Sequence, residues 1–145
     1  MHEEKILVID YGSQYTQLIA RRIRENNTYC EVLSPESLIK IKNLDNILGV
    51  ILSGGPNAVI ENNDYDLPDL LFEKNIPLLG ICFGMQLICK KFNGKIQEST
   101  SREYGKAKLE IKKDVPILNG LNKTLEVWMS HGDSVTEIPN NFSVI

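Results

Sequence analysis

The sequence predicts an α/β fold: an open sheet that is mainly parallel, with helices on both faces and an added antiparallel part. Up to Asn93, apolar runs rich in β-branched residues alternate with segments of helical period. This alternation is typical of a parallel sheet covered on both faces. Beyond Gly94 the pattern changes to alternating apolar and polar residues, as in half-exposed antiparallel strands. A length of 145 residues suits one domain.

The first two elements are a buried strand and an amphipathic helix. The strand is Lys5–Asp10 (KILVID), closed by turn residues at Tyr11–Ser13. Between Gln14 and Asn26, apolar side chains recur at helical offsets. They form one stripe, made of Tyr15, Leu18, Ile19 and Ile23.

Three further strands extend the parallel pattern. They are Tyr29–Leu33, Gly49–Ser53 and Ile76–Leu79. After the strand Tyr29–Leu33, the residues Ser34-Pro35-Glu36 are typical of the start of a short helix. The helical segment Met85–Ile88 follows the strand Ile76–Leu79. Farther along, Lys108–Lys112 and Thr124–Trp128 read as antiparallel strands. This order of elements predicts a flavodoxin-like open sheet with an antiparallel addition.

Charge and composition argue against several functions. The net charge is -3 and no basic cluster is longer than Arg21-Arg22, which disfavours binding to nucleic acid or to an anionic membrane. The first apolar run is too short to be a signal peptide or a membrane span. We therefore expect a cytoplasmic protein.

Cysteines and histidines favour neither a disulfide framework nor a metal site. The cysteines lack C-x-x-C spacing, and only two histidines accompany them. The five residues are Cys30, Cys82, Cys89, His2 and His131. We expect reduced thiols, no metal site and no cofactor bound by this chain.

The most informative motif is a cysteine at the junction of a strand and a helix. The strand Ile76–Leu79 runs into Gly80–Gly84 (GICFG). This spacing is typical of a nucleophile elbow, a strained turn that needs glycine on either side. The turn places Cys82 at a helix N-terminus, where unpaired N–H groups favour negative charge. Burial in the core is the alternative role, and the flanking glycines favour the nucleophile.

A second loop of chemical interest is Ser53–Asn57 (SGGPN), directly after the third strand. Two glycines allow backbone N–H groups to turn toward an anion, and Pro56 leaves Gly55 as the last donor. Ligands of open α/β sheets bind at this end of the strands. The N–H groups of Gly55 and Phe83 are therefore candidate oxyanion donors, each worth about 3 kcal/mol in the transition state. A plain glycine turn is the alternative.

These motifs resemble those of a known family. A Gly-Gly-Pro loop followed by Gly80–Gln86 (GICFGMQ) is similar to the signature of class I glutamine amidotransferases. Asp10–Leu18 (DYGSQYTQL) resembles the opening of the glutaminase domains of GMP synthases. Arg102–Ala107 (REYGKA) and Val127–Asp133 (VWMSHGD) agree with that group. The resemblance covers essentially the whole chain and implies the class I glutamine amidotransferase fold.

The resemblance implies a role for each matching position. Cys82 attacks the side-chain amide of glutamine, forms a γ-glutamyl thioester and releases ammonia, while Gly55 and Phe83 hold the oxyanion through backbone N–H groups. Gln86 matches the residue that binds the polar groups of glutamine. The residues that hold its amino and carboxylate ends match at Ser130, Gly132 and Asp133. His131 is not the triad histidine of this family and is expected to have a structural or substrate-framing role.

The family's catalytic histidine and glutamate come from a later Phe-His-Pro-Glu-type motif, which the sequence does not contain. We therefore expect residues 1–145 to form a glutaminase domain that is incomplete at its C-terminus. Alone it should be a poor or inactive glutaminase, because general acid–base catalysis contributes roughly 10²–10⁴-fold. Missing strands would also leave sheet edges or apolar faces uncovered.

The resemblance also implies partners. GMP synthases are ligases that aminate xanthosine monophosphate (XMP) in a synthetase (ATP pyrophosphatase) domain, with ATP and Mg²⁺, and no segment here resembles its phosphate-binding loop. We expect L-glutamine as substrate, a partner that is a separate or linked synthetase domain, and a full-length homodimer. Arg21, Arg22 and a loop at Arg102-Glu103 are candidate contacts with that partner, although solvated surface charge is commoner.

Three alternatives remain open. The first is another class I amidotransferase. The second is a DJ-1/PfpI-like cysteine-elbow hydrolase or chaperone, which needs an acidic residue near the sulfur and does not explain the Gly-Gly-Pro loop. The third is a non-catalytic binding or regulatory module, which the missing histidine favours.

Overall fold

A computed structural model describes residues 4–56 and 65–145, and at residues 99–103 and 131 it describes the backbone only. Within this part of the chain the strands form a four-stranded sheet and a two-stranded sheet. The predicted class, a mainly parallel α/β fold with an antiparallel addition, is confirmed.

The four-stranded sheet is parallel and has the order β2-β1-β3-β4. Its strands are β1 (Lys5–Ile9), β2 (Cys30–Leu33), β3 (Ile47–Leu52) and β4 (Leu78–Gly80). Val8 of β1 lies opposite Val32 on one side and Ile51 on the other. The chain thus runs from β1 outward to β2 and then returns past β1 to β3, which places the topological switch point between β1 and β3. The loops after β1 and β3 meet at the carboxyl edge, where open α/β sheets bind ligands.

Four helices flank this sheet: α1 (Thr16–Glu25), α2 (Pro35–Ile39), α3 (Asp69–Glu73) and α4 (Phe83–Lys91). Because crossovers between parallel strands are right-handed, the step from β1 to β2 and the later steps in the opposite direction place their helices on opposite faces. Ala20 of α1 packs with Val8 on one face. The buried leucines of α2, α3 and α4 pack with Leu52 on the other. None of the described helices has the length and apolarity needed to cross a bilayer.

Helix α1 does not bury the whole stripe that the sequence predicts. Tyr15 and Leu18 are 59% and 46% exposed, so only part of the predicted apolar stripe is buried. The residue buried against the sheet is Ala20, which is 0% exposed. A small side chain lets the helix approach β1 and β2 closely, and only a narrow stripe of α1 then reaches the sheet.

The α1 face of β3 and β4 is only partly covered by the described residues. Ile51 and Ile81 are half-buried and Leu79 is 42% exposed. Together with Leu18 and Ile23 they line an open apolar groove of about 480 Å³. Parallel sheets are normally covered on both faces, and in the described part of the chain this face presents an apolar surface.

The two-stranded sheet is a long antiparallel ribbon of β5 (Lys95–Glu110) and β6 (Thr124–Glu137), with a 3₁₀ turn at Pro116–Leu118 between them. Both predicted strands overlap it. The ribbon extends farther, however, and the predicted loop at Arg102-Glu103 was wrong because the backbone there belongs to β5. Glu103 pairs with His131 through an irregularity in the register. The side chains of Arg102 and Glu103 lie outside the described residues.

Candidate active site at the strand–helix turn

Cys82 occupies the turn between β4 and α4 in a strained backbone conformation. It has φ +50° and ψ -109°, it is the N-cap residue of α4, and its side chain is exposed. A positive φ is uncommon for a residue with a side chain, and such strain concentrates at functional sites. The predicted elbow is therefore present, with the thiol at the surface rather than in the core.

The glycines on either side of Cys82 are required by close approach of the backbone. A Cβ at Gly80 would lie 2.6 Å from the backbone N and Cα of Met85. A Cβ at Gly84 would collide with the carbonyl oxygen of Leu52. The elbow thus lies directly against the end of β3, and neither position has room for a methyl group.

Backbone hydrogen bonds fix the elbow to β3 and to the loop that follows it. The N–H of Ile81 donates to Leu52 O at 3.0 Å, and the N–H of Gly84 donates to Ser53 O at 3.1 Å. A Cβ at Gly54 would lie 3.4 Å from the Cβ of Cys82. The glycine loop predicted to face the nucleophile is therefore next to it. Asn57, at the end of that motif, lies outside the described residues.

The glycine loop is supported from behind by the loop that follows β1. A Cβ at Gly55 would lie 2.5 Å from the carbonyl oxygen of Tyr11, so this position also excludes a side chain. The hydroxyl of Ser53 accepts a hydrogen bond from Tyr11 N at 3.0 Å and donates to Gly54 O at 2.9 Å. Ser53 is 0% exposed. Two loops far apart in the sequence thus form one layer beneath Cys82.

The β1–α1 loop holds its own shape through side-chain hydrogen bonds. Asp10 Oδ1 accepts from Gly12 N at 2.9 Å and from the hydroxyl of Thr16, also at 2.9 Å. Gly12 has φ +94°, a conformation that favours glycine. Sequence reasoning did not assign Asp10, Tyr11 or Ser53 to the site. The Asp-x-Gly turn signal at residue 10 was the one local sign of this loop.

Phe83 contributes its backbone to the elbow and its ring to an aromatic cluster. Its side chain is 2% exposed and lies 5.3 Å from the Tyr11 ring and 5.8 Å from the Tyr65 ring, measured between centroids. Burial, and to a lesser extent the neighbouring Tyr65, raises the pKa of Tyr11 above its usual range. The phenol is therefore neutral at physiological pH. As the first residue of α4, Phe83 has an N–H with no acceptor inside the helix.

The residues expected to hold the substrate lie on α4 and β6. Gln86 is 6% exposed, and its Nε2 donates to Asp133 O at 3.4 Å, so α4 and the ribbon meet beside the elbow. Gly132 and Asp133 are half-buried, whereas Ser130 is exposed. The side chain of His131 lies outside the described residues. The structure thus brings Gln86 and Asp133 together with the elbow, and Ser130 and Gly132 are placed only by their strand.

The other two cysteines are unlike Cys82. All three are free, but Cys30 and Cys89 are buried. The thiol of Cys30 donates to Ala20 O at 3.3 Å, and burial raises the pKa of Cys89. No cluster of potential metal ligands is found among the residues that the structure describes, which exclude His2.

Comparisons with known sequences show which family this chain matches. The family model described as glutamine amidotransferase class-I matches residues 7–145. A glutamine-hydrolysing GMP synthase of Natranaerobius thermophilus is 49% identical over 146 residues, covering 100% of this chain. Another, from Aliivibrio fischeri, is 46% identical over 145 residues, covering 98%. This chain spans 28% of the length of each.

Two solved structures share the architecture of this chain. A GMP synthase component from Thermoplasma acidophilum matches with a TM-score of 0.82 and 30% identity, covering 99% of this chain and 72% of that one. A glutamine amidotransferase of Thermotoga maritima matches with a TM-score of 0.74 and 24% identity, covering 97% of this chain and 65% of that one, a likeness that concerns the fold.

Proposed function

We propose, from the premise that this chain belongs to the class-I glutamine amidotransferase family, that it hydrolyses glutamine through Cys82. The ammonia would serve the amination of XMP to GMP in a glutamine-hydrolysing GMP synthase. One observation carries the proposal: an exposed cysteine at φ +50° on a strand–helix turn, with a glycine loop against its Cβ. Membership in the family favours this function over the DJ-1/PfpI-like alternative.

The chemistry divides into two transfers of the glutamyl group. The Cys82 sulfur bonds to the amide carbon of the glutamine side chain, and the carbonyl electrons move onto oxygen. Collapse of this adduct breaks the carbon–nitrogen bond, and the nitrogen takes up a proton and leaves as ammonia. Water then cleaves the thioester, giving glutamate and restoring the thiol.

The N–H groups of Gly55 and Phe83 are the proposed donors to the oxyanion. Phe83 N lies at the start of α4, where the partial positive charge of the helix end favours an anion. Gly55 N belongs to the loop next to Cys82. We assign the polar groups of glutamine to Gln86 and its amino and carboxylate ends to Ser130, Gly132 and Asp133, all from the family resemblance.

The partner of this chain would be the synthetase part of a longer enzyme. Ammonia is produced here and consumed there, and ATP and Mg²⁺ belong to that part. This chain spans 28% of the GMP synthases that it matches, which leaves ample length for a second catalytic unit in those proteins. A homodimer of the full enzyme stays a prediction.

Selective alkylation tests the nucleophile. A diazoketone analogue of L-glutamine should label Cys82 alone, because Cys30 and Cys89 are buried and burial raises the pKa of Cys89. Mass spectrometry of tryptic peptides measures the site and the rate. We expect the L-analogue to react at least about tenfold faster than its D-enantiomer, since three or more fixed contacts distinguish the two.

The matched control is Cys82→Ser, which should take up no label while leaving the other cysteines unchanged. Iodoacetamide, which lacks the amino and carboxylate groups of glutamine, reports thiol exposure. Equal rates for the two enantiomers, or equal labelling of all three cysteines, would overturn the proposed function.

A further inference from the structure

The hydroxyl of Ser53 lies where four segments of the fold meet. Its backbone N–H donates to Ile9 O in β1 at 3.1 Å, and its carbonyl oxygen accepts from Gly84 N in the elbow. Its hydroxyl accepts from Tyr11 N and donates to Gly54 O. Buried polar groups are almost always paired. The backbone contacts already hold the strand, so the two hydroxyl contacts call for a separate explanation.

The donation from the Ser53 hydroxyl sets the orientation of one peptide unit. Gly54 C=O and Gly55 N–H belong to the same planar group, and no cis peptide bond occurs in the described chain. In a trans peptide the C=O and N–H point in opposite directions. Because Ser53 Oγ holds Gly54 O at 2.9 Å in the interior, the N–H of Gly55 must point away from that interior.

Without such a contact this peptide unit would rotate at little cost. Glycine lies on both sides of it, and glycine adopts positive and negative φ about equally well. A rotation of the Gly54–Gly55 peptide would exchange the outward N–H for an outward carbonyl oxygen. A carbonyl oxygen beside Cys82 would repel the negative charge that the N–H is meant to stabilise.

We propose that Ser53 is a positioning residue for the candidate oxyanion donor Gly55: its buried hydroxyl locks the Gly54–Gly55 peptide with the N–H outward. The N–H of Tyr11 donates to the oxygen of the same hydroxyl, and the hydroxyl hydrogen is donated to Gly54 O. The role rests on the proposed function in that Cys82 is taken as the nucleophile.

The test compares two reactions of Cys82 in the full 145-residue chain. Para-nitrophenyl acetate acylates a thiol through a tetrahedral oxyanion and carries its own good leaving group, so it needs no catalytic histidine. Iodoacetamide alkylates the same sulfur with no oxyanion. In Ser53→Ala we expect acylation of Cys82 to fall about tenfold or more, toward the 10²–10³-fold loss known for a missing oxyanion donor, while alkylation stays unchanged.

Ser34→Ala is the matched control, since Ser34 also accepts from a backbone N–H, that of Ser37 at 3.2 Å, but at the start of α2. It should change neither rate. If Ser53→Ala does not fold, Ser53→Thr and Ser53→Val replace it. Threonine and valine side chains have nearly the same shape, but only threonine keeps the hydroxyl. The threonine variant should keep the ratio of acylation to alkylation and the valine variant should lose it.

Two results would overturn the proposal: an unchanged ratio of acylation to alkylation in Ser53→Ala, including an equal fall in both rates, or equal ratios for the threonine and valine variants. The outcome is independent of glutamine recognition. If the glutamine analogue shows no preference between enantiomers while the ratio still depends on Ser53, the proposed function fails and the positioning role stands. The reverse combination removes the positioning role alone.

Discussion

At the scale of single residues, the elbow depends on two glycines that have no Cβ atom, Gly80 and Gly84. Gly84 has no room for a Cβ because the carbonyl oxygen of Leu52 occupies that space. Gly80 is similarly limited by the backbone of Met85. The strained φ of Cys82 persists because these contacts and the hydrogen bonds to β3 surround it.

Gly84→Ala should both destabilise the protein and lower the reactivity of Cys82. Overpacking typically costs about 1–3 kcal/mol in the free energy of unfolding, and the displaced elbow should slow labelling of Cys82 by the L-glutamine analogue. Urea denaturation measures the first effect and mass spectrometry the second.

Gly120→Ala is the control for this substitution. Gly120 has φ +84°, and a Cβ there would meet nothing within 4 Å. The change therefore costs about 1–2 kcal/mol of backbone strain and leaves Cys82 labelling unchanged. Labelling of Gly84→Ala at the unsubstituted rate would show that the elbow tolerates a side chain there.

Local sequence patterns predicted part of the site and missed the rest for a physical reason. The glycine spacing around Cys82 and the Gly-Gly-Pro loop are each visible within a few consecutive residues. The contact between Tyr11 N and the Ser53 hydroxyl joins positions 42 residues apart. No periodicity or motif contains that pairing, which exists only once β1 and β3 lie side by side.

At the scale of elements, α1 shows that hydrophobic periodicity does not predict which residue of a helix packs most closely against the sheet. The four strands of the parallel sheet and the short helix after Ser34 occur close to where the sequence predicts them. In α1, however, the large apolar residue Leu18 is exposed and the small residue Ala20 is buried. A pattern of large apolar side chains locates a helix better than it locates the closest contact with a sheet.

Substitutions in α1 test whether the helix packs against the sheet through Ala20 or through Leu18. Ala20→Leu should lower the free energy of unfolding by about 1–3 kcal/mol, because Ala20 is fully buried in one cluster with Val8 and Cys30 and a larger side chain would overpack it. Leu18→Ala should change it by about 0.5 kcal/mol or less, as for most surface positions. Urea denaturation checks both, and a larger loss in Leu18→Ala would show that Leu18 contributes to the core.

At the scale of the whole molecule, the 145 residues contain a candidate nucleophile and candidate oxyanion donors, and their sequence contains no Phe-His-Pro-Glu-type motif. The antiparallel ribbon was only partly predicted, because few apolar residues alternate at 95–107 and 129–137, outside the two predicted strands, and its register is irregular between Glu98 and Glu103. The fold class was predicted fully, since alternating strands and helices constrain an open sheet strongly.

Ammonia release from glutamine by this chain alone should therefore be roughly 10²–10⁴-fold slower than by an intact amidotransferase, the usual contribution of a general acid–base group. A coupled assay that detects ammonia measures the rate, with Cys82→Ser as the blank. A longer chain that includes a Phe-His-Pro-Glu-type motif should recover the difference. Turnover by the 145 residues comparable with an intact enzyme would contradict the proposal.

The bond from Ser53 N–H to Ile9 O has a consequence for how the protein loses its shape on heating. Surface loops commonly open long before the core does. Here the first residue of the glycine loop is part of the pairing between the two central strands, so the amide hydrogen of Ser53 should exchange with solvent as slowly as those of the sheet itself. Warming would then disable the site only at the temperature at which the sheet melts.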